Sequence, residues 1–240
     1  PHGRHLTIGP RRVSGDGLPE SDEKSYPGFR EQYLAFAKAM RPLLENKAPR
    51  LKDMEFADTA TLARLGWNIR LVLGRETMYE FLRVAAINIY DVLNDVFDDD
   101  RLKGAIALDA VMGNAMGPRT PGTVLTWLQR LHGELNGPLC LQSGGQSQLV
   151  HALAQSAEDA GATIRLNAHV EKVLVENGKA IGVSLSDGET LKAGTIVSNA
   201  DPRETITELV GAPQLDAMFA NRVTQIRGNG VVAKLHLALS

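Results

Sequence analysis

The sequence contains one cysteine, Cys140, among its 240 residues. An internal disulfide and a cysteine-based zinc cluster are therefore both excluded. Aromatic residues make up only 5% of the chain, which leaves few platforms for stacking nucleobases. Neither sign of charge dominates: 26 basic side chains face 28 acidic ones, a formal net charge of −2. That balance argues against a strongly basic nucleic-acid-binding surface. No apolar run approaches the roughly 18 residues of a membrane-spanning helix. There is no Walker A sequence, no His-Glu-x-x-His pair and no Gly-x-Ser-x-Gly elbow. Apart from His2 and His5, the histidines are scattered without metal-ligand spacing, so no metal site is expected. The first residues, Pro1-His2-Gly3-Arg4, carry neither an initiator methionine nor an apolar signal core. The expectation is an interior piece of a longer protein.

What is present is apolar side chain: 43% of residues are hydrophobic, enough for a sizeable core and too much for a disordered chain. Three stretches are expected. Residues 1–28 read as an arm or loop, because glycines and prolines break the run from Gly9 to Gly28. Residues 29–141 read as helical. Tyr33, Phe36, Ala37, Met40 and Leu44 form a stripe at helical spacing, with a break expected near Arg41 because Pro42 follows. Further helices are expected over 58–73, 77–86, 88–96 and 123–132. Asp98-Asp99-Asp100 suits the start of a helix rather than a calcium loop, whose ligands alternate.

Residues 142–240 read as a mixed α/β unit. A helix is expected over 146–160, ended by Gly161. Short β-type runs follow at 163–166, 170–175, 180–185 and 195–198, with turn signals at Asn177-Gly178 and Asp187-Gly188. Residues 231–239 alternate with strand periodicity. The fold class expected is α+β: a helical region plus a mixed sheet with helices.

Candidate chemistry is sparse. Gly228-Asn229-Gly230-Val231-Val232-Ala233 fits Gly-x-Gly-x-x-Ala by letters. It opens a strand-like run instead of a helix, so a dinucleotide fingerprint is rejected. Cys140 reads as an inert thiol. Two segments carry more. Gly144-Gly145 leads directly into a helix, where missing side chains let backbone approach a ligand or strand. Asn199-Ala200-Asp201-Pro202-Arg203-Glu204 joins a strand to a helix, with Asp201 as cap and Pro202 first. The Asp201 carboxylate would repel a phosphate there, so this turn presents backbone instead.

Taken in order, these segments resemble the phytoene desaturase-related oxidoreductases that depend on FAD. The branch most resembled is that of the pyridine nucleotide-disulfide oxidoreductase domain-containing proteins. The residues that carry the likeness include Gly15-Asp16-Gly17-Leu18-Pro19, Tyr26-Pro27-Gly28-Phe29, Arg41-Pro42-Leu43-Leu44 and the loop Gly117-Pro118-Arg119-Thr120-Pro121-Gly122. Gly144-Gly145, Gly161-Ala162, Val170, Gly182-Val183, Asp187-Gly188 and Val197-Ser198-Asn199-Ala200-Asp201-Pro202 complete it.

The resemblance implies the substrate domain of an amine-oxidase-like flavoprotein, without the Rossmann unit that begins such proteins or the flavin segment that ends them. It implies that Val170 meets the adenine end of FAD through its backbone. It places Asn199, Ala200 and Asp201 in the turn that approaches the cofactor, and Gly144 and Gly145 on the flavin and substrate side. Gln146 and Gln148 depart from the apolar or small residues usual after the glycine pair, leaving the substrate type open. The implied activity is oxidation of an apolar small molecule by hydride transfer to flavin, with catalytic residues unassigned. The helical stretch, with Leu62, Ile69, Met78, Phe81, Ile87 and Val111, could wall its pocket or simply pack on itself. The alternative is a non-catalytic module binding an apolar ligand or a protein partner. The chain alone is expected to be inactive and to hold FAD weakly or not at all. Nucleic acid is not an expected partner. Peripheral membrane contact fits a lipid substrate, although no strongly basic amphipathic helix stands out. The expected location is cytoplasmic, at a membrane if the substrate is a lipid, or mitochondrial in a eukaryotic source.

Overall fold

The computed structural model describes residues 5–137, 143–226 and 228. Cys140, the Gly228–Ala233 letter match as a whole and the strand expected over 231–239 fall on positions outside them. Two units are distinguished, divided between residues 140 and 141.

The first unit opens with a two-stranded antiparallel hairpin, β1 (Leu6–Ile8) and β2 (Val13–Gly15). Helix α1 (Glu20–Ala39) follows. The loop expected over 9–28 therefore ends at Pro19. Pro27 lies inside α1, where it removes one ladder hydrogen bond. The helix continues through it because Tyr26, Phe29, Tyr33 and Phe36 all bury one face. Glu20, Asp22 and Glu23 in the first turn complement the helix dipole. The break comes where Pro42 predicts it, between α1 and the short α2 (Arg41–Leu44).

Helix α3 (Phe56–Trp67) starts with a reciprocal cap, the Glu55 amide donating to Asp58 Oδ2 at 2.9 Å. It runs into a π-helical turn, Asn68–Val72, which Asn68 Nδ2 ties to the Ala39 carbonyl at 3.2 Å. Helices α4 (Arg75–Val84), α5 (Ile89–Asn94), α6 (Asp100–Val111) and α7 (Thr123–His132) are this unit's further helices among the described residues. Asp99 caps α6, accepting from the amides of Arg101 (2.9 Å) and Leu102 (3.1 Å).

Helices α1 and α6 both pack on α7. Aromatic residues are few but concentrated: Tyr26, Phe29, Tyr33, Phe36, Phe81, Phe97 and Trp127 form one connected cluster. Phe29 stacks on Trp127 at 5.5 Å and meets Phe97 edge-on at 4.9 Å. Such pairs add about 0.5–1.5 kcal/mol each beyond their buried area. The glycine–proline loop is fastened by buried Thr123, whose hydroxyl accepts from the Ile89 amide at 2.9 Å and donates to the Thr120 carbonyl at 2.9 Å. Arg119 lies 4.1 Å from the centre of the Tyr90 ring.

The second unit holds α8 (Gln146–Asp159), then β3 (Val170–Glu176), β4 (Lys179–Leu185) and β5 (Thr190–Lys192) in one antiparallel sheet of order β3-β4-β5. Gly182 on β4 is the point of closest approach, since a side chain there would run into the Leu191 carbonyl. A π-helical segment, Glu204–Gly211, and α9 (Ala217–Thr224) follow. The strands expected over 163–166 and 195–198 do not form. Their side chains have strand character, but a strand needs a neighbour for its amides and carbonyls. None of β1–β5 pairs with either stretch. The architecture is α+β, with antiparallel pairing throughout β1–β5.

Candidate active site

In the first unit, a cavity of about 740 Å³ opens between α1, α6, α7, the β1–β2 turn and the turn after α7. Helical spacing sets its wall: Tyr26, Phe29, Arg30 and Leu34 project from α1, Ile106 and Asp109 from α6, and Trp127 and Arg130 from α7. Ile8, Pro10 and Leu135 close the sides. The volume lies within the range of small-molecule sites.

A ladder of charges runs along this apolar wall. Arg30 pairs with Glu134, Arg130 Nη1 lies 3.1 Å from the same carboxylate, and Arg130 Nε lies 3.1 Å from Asp109. Arg30 also donates from Nε to the Pro10 carbonyl (3.0 Å), and Tyr26 donates to the Gly9 carbonyl (3.0 Å). These bonds fasten the β1–β2 turn over the cavity. Burial pushes the Tyr26 hydroxyl above its ordinary pKa, with the Arg30 charge opposing. Each charge has an opposite partner, and the phenol is held protonated. The wall is built to bind and orient. Among the described residues it presents no hydroxyl nucleophile beside a base, and no uncommitted carboxylate.

The apolar residues singled out from sequence, Leu62, Ile69, Met78, Phe81, Ile87 and Val111, do not line this cavity. Phe81 belongs to the core, and Ile69 and Ile87 pack against it. Sequence periodicity marks which residues face inward, but it cannot separate core from cavity wall. The signal that was readable is the i, i+4 spacing of Arg30 and Leu34 and of Arg130 and Glu134. It puts charge on faces that are otherwise apolar.

The six expected flavin-side residues all stand in the second unit, on three separate elements. Gly144 and Gly145 precede α8, with φ of +82° and +78°. Both angles lie in the left-handed region, which glycine adopts without strain. An added side-chain carbon at Gly145 would meet nothing within 4 Å, so the backbone is open to approach. Helix α8 has no side-chain cap and no acidic residue in its first turn. Its leading amides are suited to a phosphate or a polar ring edge. Val170 is half-buried at the start of β3, opposite Leu185.

Asn199, Ala200 and Asp201 form an exposed turn. Asp201 Oδ1 accepts from the Arg203 amide at 2.8 Å, and Ser198 Oγ accepts from the Ala200 amide at 3.3 Å. That helix start is already occupied by a carboxylate, so the turn offers peptide edges and not an anion site. Among the described residues, no hydrogen bond joins the three groups to one another. Toward FAD these residues could offer backbone alone: the open Gly145 at the start of α8, with the Gln148 side chain against its neighbour Gly144, then Val170 and the exposed turn 199–201.

Comparison with known proteins gives the family. The sequence profile described as flavin containing amine oxidoreductase matches residues 15–240. A mouse protein, pyridine nucleotide-disulfide oxidoreductase domain-containing protein 2, is 31% identical over 230 residues, covering 91% of this chain and 39% of its own length. The all-trans-zeta-carotene desaturase of Myxococcus xanthus is 35% identical over 137 residues, covering 57% of this chain and 25% of its own length. The neurosporene-forming phytoene desaturase of Cereibacter sphaeroides is 43% identical over 67 residues, covering 28% of this chain and 13% of its own length. The chain thus spans about two fifths of the mouse relative. It belongs to the flavin containing amine oxidoreductase family.

Proposed function

We propose that this chain supplies the substrate cavity and part of the flavin contacts of an FAD-dependent oxidoreductase acting on an apolar small molecule. When bound, FAD supplies the hydride acceptor, so the hard step needs no protein acid or base. The single observation that carries this reading is the character of the cavity. Its walls are aromatic and aliphatic, and every charged group in it is already paired. Such a site orients a substrate and excludes water. The relatives' printed names, carotene and phytoene desaturases among them, support an apolar substrate. On the cofactor side, Gly144 and Gly145 would present the α8 amides, while Val170 and Asn199-Ala200-Asp201 would offer backbone.

The 240-residue chain by itself is expected to retain little flavin. Flavin absorbance of the purified chain measures this, and stoichiometric retained flavin would overturn that part. For the activity, the longest protein containing this chain is mixed anaerobically with polyene and lipid candidates, and bleaching of the flavin is followed. Bleaching should be slowed by Trp127→Ala, which alters the cavity wall, with the flavin content unchanged. Equal bleaching by polar amines and no response to Trp127→Ala would refute the proposal.

A further inference from the structure

The charged residues lining the first unit's cavity are Arg30, Asp109, Arg130 and Glu134, two of each sign. Their charges cancel, and they sit among Phe29, Leu34, Ile106 and Trp127. The side chains of Arg30 and Glu134 are only 15% and 17% exposed. Charges so enclosed act strongly on a guest, because little water screens them.

Arg30 still has donors to give. Its Nε is bound to the Pro10 carbonyl and its Nη2 to Glu134. Its Nη1 has no partner among the described residues and is not sealed off by protein. That nitrogen carries two N–H groups. A hydrocarbon lying over it would strand both, and a buried donor without an acceptor is costly. A carboxylate guest would reach Arg30 but also face Glu134 and Asp109, and an ammonium guest would face two guanidinium groups. A carbonyl or hydroxyl oxygen accepts from Nη1 and brings no charge.

We infer, resting on the proposed role of this cavity as the substrate site, that it selects neutral molecules carrying a carbonyl or hydroxyl oxygen on an apolar body. Arg30 is the residue that decides this specificity, by donating from Nη1 to that oxygen. Its bond to the Pro10 carbonyl, 3.0 Å long, keeps the guanidinium in place. Arg130 and the two carboxylates keep the lining neutral, so that ions of either sign are turned away. Phe29 and Trp127 take the apolar body. The substrate is thereby narrowed from an apolar molecule to an oxygenated one, and a site built to hydrogen-bond an oxygen discriminates against the analogue that lacks it.

The test reads binding to the full 240-residue chain by Trp127 emission in a Trp67→Phe background, since the chain has two tryptophans and Trp127 lines the cavity. The probes are methyl nonyl ketone, decanol, decanoate and decylammonium at neutral pH, below their aggregation limits. The ketone and the alcohol should bind at least about tenfold tighter than either ion. Arg30→Met should weaken ketone binding at least about tenfold, with circular dichroism unchanged. Asp109→Asn leaves two positive groups against one negative, and should strengthen decanoate binding about tenfold relative to the ketone. Glu134→Gln makes the same charge change from a second position, so either variant decides if the other does not fold. The inference is overturned if neither neutral probe binds, or if an ion binds as tightly as the ketone. It is also overturned if Arg30→Met leaves ketone binding unchanged, or if decanoate gains nothing from either charge change. No flavin turnover is read, so any of these results leaves the proposed oxidation to its own bleaching assay. Bleaching that fails while the ketone selectivity holds would remove the oxidation and leave the recognition.

Discussion

Asp22 gives a demanding test of how the first unit is assembled. It is a carboxylate with no exposed surface, in the first turn of α1. Its Oδ2 accepts from the Asp99 amide at 2.8 Å, and its Oδ1 accepts from the Asp98 amide at 3.0 Å. Those amides lie just after Phe97, which packs on Phe29, and just before α6, which Asp99 caps. One side chain therefore fixes an aromatic core residue and a helix start at once. Asp22→Ala leaves two amide donors without their acceptor. Each buried unsatisfied donor costs about 1–3 kcal/mol. Because Asp98 is exposed, water can reach part of this site, and the loss is expected at about 2–4 kcal/mol. Asp22→Asn keeps one acceptor oxygen but turns an amide donor toward the same N–H groups, so it should recover less than half. Urea unfolding followed by Trp127 fluorescence, in a Trp67→Phe background, reads this unit alone. A cost below about 0.5 kcal/mol for Asp22→Ala, at unchanged m-value, would refute the assignment.

Other consequences are checked the same way. Glu134→Ala leaves Arg30 and Arg130 without their shared carboxylate, and both side chains are mostly buried; a loss of about 1–3 kcal/mol in urea midpoint stability is expected. Gly182→Ala forces a methyl against the Leu191 carbonyl, and should release β5 from β4 at a cost of about 1–3 kcal/mol, read by hydrogen exchange of the Thr190–Lys192 amides. Hydrogen bonds from the Arg101 side chain and from the Arg101 and Leu102 amides hold the Asp99 carboxyl down to about 2. A carboxyl lowered on folding stabilises above its unfolded value of about 3.9 and loses that contribution as pH falls toward the folded value. Acid titration of stability should therefore steepen between about pH 4 and 2, and Asp99→Asn should flatten that segment.

Much of the first unit was legible in the sequence because its signals are local. The Pro42 break, the Asp99 cap and helix α7 at Thr123–His132 all follow from residues within one turn of the event. The extension of α1 back to Glu20 was not legible. It rests on Tyr26, Phe29 and Asp22 finding partners on distant helices, which outweigh the local breaking tendency of Pro27 and Gly28. The cavity was illegible for a related reason. Helical spacing does not tell whether Trp127 and Ile106 face core or cavity, and only the packing of three helices leaves a space beside them. In the second unit, the Asn177-Gly178 turn and the strands on either side read directly from their residues. Stretches 163–166 and 195–198 did not, because β character in a side chain does not supply the neighbouring strand.

That last failure bears on how the second unit is stabilised. Among its described residues, the buried apolar side chains are Val173, Leu185 and Val223. The first unit buries a connected cluster that includes seven aromatic residues. Meanwhile Leu149, Val150 and Leu153 of α8, with Ile164, Leu166 and Val197 of the unpaired stretches, all stand exposed. A helix with an unburied apolar face and extended segments without ladder partners contribute little to local stability. Gly144 and Gly145, proposed above to face the flavin, open that same helix, so on that proposal order in α8 and affinity for a cofactor are coupled: whatever surface buries Leu149 and Leu153 also fixes the Gly144-Gly145 amides. Hydrogen exchange of the chain should therefore show the α8 amides exchanging far faster than those of α1, α6 and α7. Added FAD should protect α8 before it changes the first unit. Equal protection in both units without flavin would show that the second unit is stabilised by contacts other than the ones described.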